Sequence, residues 1–157
     1  MSASPTAAIS ADPPSIGRAI ENLIATYAEL VDSGDFAGLG ALLADATFTG
    51  SGAPVSGAVA IEQMFRDMLI VYDEGTPRTK HVTTNVIVDA DEDAGTATAR
   101  SYVTVFQARP GLTLQAIMSG RYQDRFERRD GHWRFTERQV RVDLAGDLSS
   151  HLRQARS

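Results

Sequence analysis

Apolar residues recur at helical spacing in the first half of the chain and alternate with polar ones in the second. After Ser15 come Ile16, Ala19, Ile20, Leu23, Ile24, Tyr27, Leu30 and Val31. Three- and four-residue steps of this kind put one apolar face of an amphipathic helix on a core. Ser15 is suited to cap that helix, and Gly34 to stop it in a left-handed conformation that carries no Cβ penalty for glycine. Asp35 can cap a second, shorter helix with Phe36, Leu39, Leu42 and Leu43. Residues 46–50 (ATFTG) read as a short strand, and Ser51 to Gly57 as a loop. A third helix is expected with Ile61, Met64, Phe65, Met68, Leu69 and Tyr72 on one stripe, ended by Gly75 and Pro77.

From Thr79 the period falls to two. HVTTNVIVD (81–89), TATARSYVTVFQAR (96–109), LTLQAIMSGRYQDRFERR (112–129) and HWRFTERQVRVDL (132–144) read as successive strands. They are separated by an acidic turn (89–95), by Pro110–Gly111 and by Asp130–Gly131, a hairpin signal. Helices followed by long antiparallel strands predict an α+β fold with the helices on one sheet face. Strands well beyond the usual ~5–6 residues need strong twist or bulges, which curl a sheet into an open cone. Gly120 is the candidate bend. Alternation along 112–129 turns Ala116, Met118, Gly120, Tyr122, Asp124 and Phe126 inward, and Gln115, Arg121, Gln123, Arg125 and Glu127 outward.

The chain's 157 residues fit one domain. Residues 1–14, rich in Ala, Ser and Pro, read as a tail, 15–144 as the domain, and 145–157 as a C-terminal tail or short helix that covers the mouth or packs on a neighbour. Composition removes several classes of function. The net charge of -5 argues against nucleic-acid binding. Arg125, Arg128 and Arg129 are interleaved with Asp124, Glu127 and Asp130 and read as a solvated strand face. With no cysteine, thiolate nucleophiles and cysteine metal sites are excluded. No apolar run approaches the ~20 residues of a membrane span. Without a secretory leader pattern, the expected address is the cytoplasm.

Candidate chemistry rests on a few residues. Asp32 lies at the end of the first helix, and His81 opens the first long strand on a face shared with Thr83 and Asn85. A histidine can move protons near neutral pH, and a carboxylate on its other nitrogen would fix its tautomer. Each has an ordinary alternative: a strand-start histidine is commonly a hydrogen-bonded surface residue, and a helix-end aspartate a turn residue. Periodicity sets Asp32 well away from the Ile20–Leu23–Tyr27 stripe, so only an irregular helix end would turn it inward. Tyr27, Tyr102, Tyr122 and Gln107 are polar groups in apolar settings. His81, His132 and His151 have no recognisable metal spacing, and no metal or other cofactor is expected. Phosphate-loop and nucleophile-elbow motifs are absent.

From about Ser15 to Leu144 the sequence resembles a SnoaL-like domain of the nuclear transport factor 2-like superfamily. The resemblance lies in VDSGDFAGLGALLADATFTG, TKHVTTNVIVD and GRYQDRFERRDGHWRFTER. It is most similar to the branch containing scytalone dehydratase and hexachlorocyclohexane dehydrochlorinase. The resemblance implies a cone-shaped α+β barrel, three N-terminal helices on a strongly curved mixed or antiparallel sheet, enclosing a pocket. It also implies an Asp–His dyad, matched by Asp32 and His81, and a hairpin arginine, matched by Arg128 or Arg129. The dehydratase's second histidine has no match in the strands, and its substrate-holding tyrosine is replaced near Phe48 by an apolar residue. Tyr27, Phe48, Phe65, Asn85, Tyr102, Met118, Tyr122 and Arg128 are the expected pocket residues.

The leading expectation is a cofactor-independent lyase or isomerase acting on a small hydrophobic oxygenated molecule, of polyketide, steroid or terpenoid type. His81 would be the general base. Two alternatives stand beside it. One is a non-catalytic binding or assembly subunit, like the β subunits of ring-hydroxylating dioxygenases. The other is a SnoaL-like cyclase or an epoxide hydrolase, the latter ranking lower because no Asp–Arg–Asp set is matched. Homodimers or homotrimers through the outer sheet face are expected.

Overall fold

The computed structural model describes residues 12–153; the first eleven residues of the predicted N-terminal tail and residues 154–157 lie outside it. Helix α1 (Ile16–Ser33) starts where Ser15 Oγ accepts the Arg18 N–H, and it stops at Gly34, whose φ is 74°. There the Gly34 and Asp35 N–H groups donate to the Val31 and Leu30 carbonyls, satisfying groups that a helix end leaves open. Asp35 caps α2 (Phe36–Leu42) through the Gly38 N–H. Short strands β1 (Thr47–Thr49) and β2 (Val55–Ser56) precede α3 (Ala58–Met68).

The third helix is shorter than its apolar stripe predicts. Leu69 is extended, with ψ 141°, and bridges Leu152 from the C-terminal segment. Arg153 and Ile70 then exchange backbone hydrogen bonds with Met68 and His151. Leu69 is buried by leaving the helix to meet this partner, a tertiary pairing that local periodicity cannot report.

Four long strands follow: β3 (Thr79–Asp91), β4 (Thr96–Arg109), β5 (Leu112–Arg129) and β6 (His132–Ala145). With β1 and β2 they form one six-stranded sheet in the order β2-β1-β6-β5-β4-β3, mixed because β1 runs parallel to β6. The architecture is α+β, a curled but unclosed sheet with helices over its inner face. Asp130 and Gly131, both at positive φ, make the β5–β6 hairpin turn that Asp–Gly favours. Bulges interrupt β3 between Thr84 and Ile87, the β4–β5 pairing beside Val105, and the β5–β6 pairing at Ser119/Gly120 and at Arg125/Phe126. Gly120 sits at one of them, where a Cβ would stand 2.3 Å from the Arg141 carbonyl oxygen.

The bulges shift faces. Ile117 is buried and Ala116 is exposed, reversing the simple alternation, whereas Gly120, Tyr122, Asp124 and Phe126 all turn inward. The core runs from α1 (Ile20, Ile24, Tyr27, Val31) through Phe36, Phe48, Ile61 and Phe65 to Val103, Val105, Phe126 and Phe135. Over residues 146–153 no helix forms; Ser149–His151 make a turn that straps back to Leu69. Among the described residues no helix is long and apolar enough to cross a membrane.

Candidate functional site

Two neighbouring stripes of α1 have different tasks. Ile20, Ile24, Tyr27 and Val31 enter the core. One position round the helix, Glu21, Ala25, Ala28 and Asp32 line a cleft of about 720 Å³ against β3, with Ile24, Glu29, Ser33, Thr76, Lys80, His81, Thr83 and Val86. The small Ala25 and Ala28 leave room on the helix surface just before Asp32. The helix end is regular, contrary to what turning Asp32 inward was expected to require. The edge strand instead comes to the carboxylate.

His81 Nδ1 lies 2.6 Å from Asp32 Oδ1, the His81 backbone N–H donates to Oδ2 at 2.8 Å, and Thr79 Oγ1 donates to Oδ1 at 2.8 Å. Side-chain exposure is only 9% for His81 and 8% for Asp32, so these contacts work with little competition from water. Burial opposes the aspartate's charge. The hydrogen bonds from the His81 ring and backbone and from Thr79 outweigh it, holding the carboxyl below its ordinary value. An ionised carboxylate only accepts, so it fixes the imidazole with its proton on Nδ1 and a lone pair on Nε2. That arrangement is competent for general-base work.

A second ion pair fills the ground inside the sheet. Asp124 holds Arg138 through two hydrogen bonds, 2.8 and 2.9 Å long, with neither side chain exposed. The guanidinium carbon lies 4.1 Å from the centre of the Tyr27 ring, 3.7 Å from Tyr122 and 5.0 Å from Phe135. Burial works against the guanidinium charge, and Asp124 more than restores it. Tyr27 is pushed up to about 12 by burial, and Tyr122 is raised by the same cause, so both phenols stay protonated. Phe65 packs on both Tyr27 and Phe48. Tyr27, Phe48, Phe65 and Tyr122 are therefore buried core residues, the two tyrosines against Arg138, and do not line the Asp32–His81 cleft.

Of the other expected pocket residues, Asn85 and Tyr102 border, with Tyr122, a separate hollow of about 340 Å³ that Asp32 and His81 do not line. The β3 bulge places Asn85 at φ 54° and exposes it, and Val86 takes its place on the inner face beside the cleft. Tyr102 is 53% exposed on the outer face, because its neighbours Ser101 and Val103 take the inner one. Met118 is partly buried against the core. Arg128 is exposed at the far hairpin end, over the Trp133 ring and donating to the Glu92 carbonyl. Asp124, interleaved with arginines in sequence, is buried rather than solvated.

Sequence reasoning passed over Thr79, Arg138 and His151. Thr79 and His81 share a strand face, a signal that was available. Arg138 was hidden because the bulge opposite Phe126 adds a residue after Phe135, so alternation counted from Phe135 points Glu137 inward instead. His151 looked like a tail residue, yet it is buried and its ring centre lies 6.4 Å from that of His81. Among the described residues no three His, Cys, Asp or Glu side chains converge on a common metal position.

A family model for the SnoaL-like domain matches residues 16–139. The chain is a SnoaL-like domain. Its fold is shared with a protein of unknown function from Mycobacterium tuberculosis, at 26% identity and TM-score 0.68 over 84% of this chain and 78% of that one. An aromatic ring hydroxylase candidate from Novosphingobium aromaticivorans is 25% identical, with TM-score 0.66 over 85% and 94% of the two chains. A scytalone dehydratase-like protein from the same organism is 21% identical, with TM-score 0.62 over 85% and 93%, and shows kinship of fold alone. No curated protein matches this chain significantly.

Proposed function

We propose that this SnoaL-like domain is a cofactor-independent lyase or isomerase for small hydrophobic oxygenated molecules, with His81 as general base and Asp32 as its orienting partner. The carrying observation is the 2.6 Å contact between Asp32 and His81 Nδ1 at the edge of a roomy cleft. His81 Nε2 takes a proton from the carbon next to a carbonyl, and Asp32 stabilises the imidazolium. In a dehydration the released electron pair forms the C=C bond as the β-hydroxyl leaves, and the imidazolium returns its proton to make water. In an isomerisation that proton goes back to a different carbon. The substrate enters between α1 and β3, since the sheet interior is taken by Arg138.

The test is a panel of small β-hydroxy ketones, with enone formation followed by absorbance. His81→Ala should lower turnover by ~10²–10⁴-fold, the usual worth of a positioned base. Undiminished turnover by that variant would overturn the mechanism.

The filled interior favours a second reading, a non-catalytic binding or assembly subunit. Size-exclusion chromatography with neighbouring gene products separates the two. An obligate hetero-complex supports the subunit, and a homodimer or homotrimer that takes small apolar ligands supports the enzyme.

A further inference from the structure

The segment after β6 is tied down out of proportion to its length. The Ser150 carbonyl accepts from the Tyr72 hydroxyl and from Gln107 Nε2, the latter at 3.0 Å. The same Gln107 nitrogen donates to the Pro77 carbonyl at 3.0 Å, joining this strap to the chain that leads into β3. Ile70 N–H donates to the His151 carbonyl, Arg153 N–H to the Met68 carbonyl, and Arg153 Nε to the Leu69 carbonyl. Gln107 is buried, and its amide nitrogen is shared between the strap and the Pro77 carbonyl, while its Oε1 has no partner among the described residues. The result is a fixed backbone on both sides of one side chain, His151.

His151 is 6% exposed, with its ring centre 6.4 Å from that of His81, and its Nδ1 has no hydrogen-bond partner among the described residues. A buried imidazole beside another imidazole is disfavoured in its charged form by loss of water and by repulsion. We propose that the C-terminal strap completes the site by seating His151 as a second, uncharged imidazole beside His81, so that the pair takes up one proton rather than two. His151 is a positioning residue: it acts through the neighbouring His81 ring. The inference rests on the proposed function only in treating the His81 surroundings as the active site.

The charged groups on the surrounding elements fit this assignment. Asp32 on α1 is committed to His81. The Arg109 guanidinium of β4 turns to Ser150 Oγ, and that of Arg153 to the Leu69 carbonyl. Burial first, and His81 second, push His151 down to about 4, with Asp32 partly opposing.

The test follows the His151 imidazole ring resonances of the full chain by NMR as pH is lowered. His151 should stay uncharged until the pH nears about 4. In His81→Gln, or His81→Asn as a second replacement, the His151 midpoint should rise by about half a pH unit or more, the effect of removing one charge at this separation. Gln107→Leu, which frees the strap, should also move it toward the ordinary histidine value. An unchanged His151 midpoint in the His81 variants, or a wild-type His151 that titrates at the ordinary histidine value of 6.5, overturns the inference. The dyad has its own readout, a low-field Nδ1 proton on His81 that disappears in Asp32→Ala. Its absence from the wild type defeats the proposed function, and the His151 result stands or falls separately.

Discussion

Among the described residues two acid–base pairs have both side chains largely buried, and they are built on opposite plans. Asp124–Arg138 is sealed, bidentate and ringed by Tyr27, Tyr122 and Phe135. Asp32–His81 stands at the edge of the sheet, where a cleft reaches it. A guanidinium cannot give up its proton at any working pH, and that of Arg138 is fully buried. An imidazole can, and its partner prepares it to do so. The comparison teaches that burial and ion pairing alone do not mark a chemical site. Access and a group that titrates near neutrality do.

The largest effect should come from breaking the sealed pair. Asp124→Asn leaves the Arg138 charge buried without its counter-ion, so the domain should lose about 3–5 kcal/mol in denaturant unfolding. Replacing both members together, as Asp124→Leu with Arg138→Met, should cost much less. A single variant that unfolds at the wild-type midpoint would remove the structural role and reopen Arg138 as a candidate for chemistry.

Gly34→Ala should have an intermediate effect and bear on the other pair. Gly34 adopts φ +74°, and a Cβ there would stand 2.1 Å from the Gly75 carbonyl oxygen. Backbone strain and overpacking together should cost about 1–3 kcal/mol. Since Gly34 ends α1 two residues after Asp32, the low-field His81 proton should weaken as well. Loss of stability with that proton unchanged would show the carboxylate to be held by β3 alone.

Asp32→Asn should have the smallest effect on stability, about 1 kcal/mol from weakened charged hydrogen bonds, and a pH-dependent one. The folded protein holds Asp32 below its ordinary value of 3.8. The stabilisation is therefore full above that value and is lost as pH falls through the lower folded one. Urea midpoints of wild type and variant should differ at neutral pH and converge in acid. A gap that stays constant with pH would mean that Asp32 is not stabilised as an anion.

Legibility differs between the pairs for a physical reason. Asp32 and His81 could be named as candidates from their helix-end and strand-start positions and from family resemblance, although helical phase argued against Asp32. Its flank, Glu21–Ala25–Ala28–Asp32, was legible as a stripe once attention left the most apolar one. Arg138 was not, because one added residue in β6 after Phe135 reverses the faces that follow until the next bulge. The same effect displaced Asn85 in favour of Val86. Tyr102 and Arg128 show the complementary limit: residue type suggested a pocket, but position on the sheet placed one outside and the other at the far hairpin.

By itself the sequence determined what depends on neighbours along the chain: the caps at Ser15, Gly34 and Asp35, the Asp130–Gly131 turn, and the change from helical to alternating period. Those are settled within a few residues by backbone sterics and local hydrogen bonds. Tertiary structure decided where α3 stops, which face each strand presents beyond a bulge, and which histidine stands beside His81. Leu69 leaves its helix for Leu152, and His151 reaches the site on a strap fixed by Gln107 and Tyr72. These are contacts between segments distant along the chain, set by burial and hydrogen-bond satisfaction across the whole domain, and no local pattern encodes them.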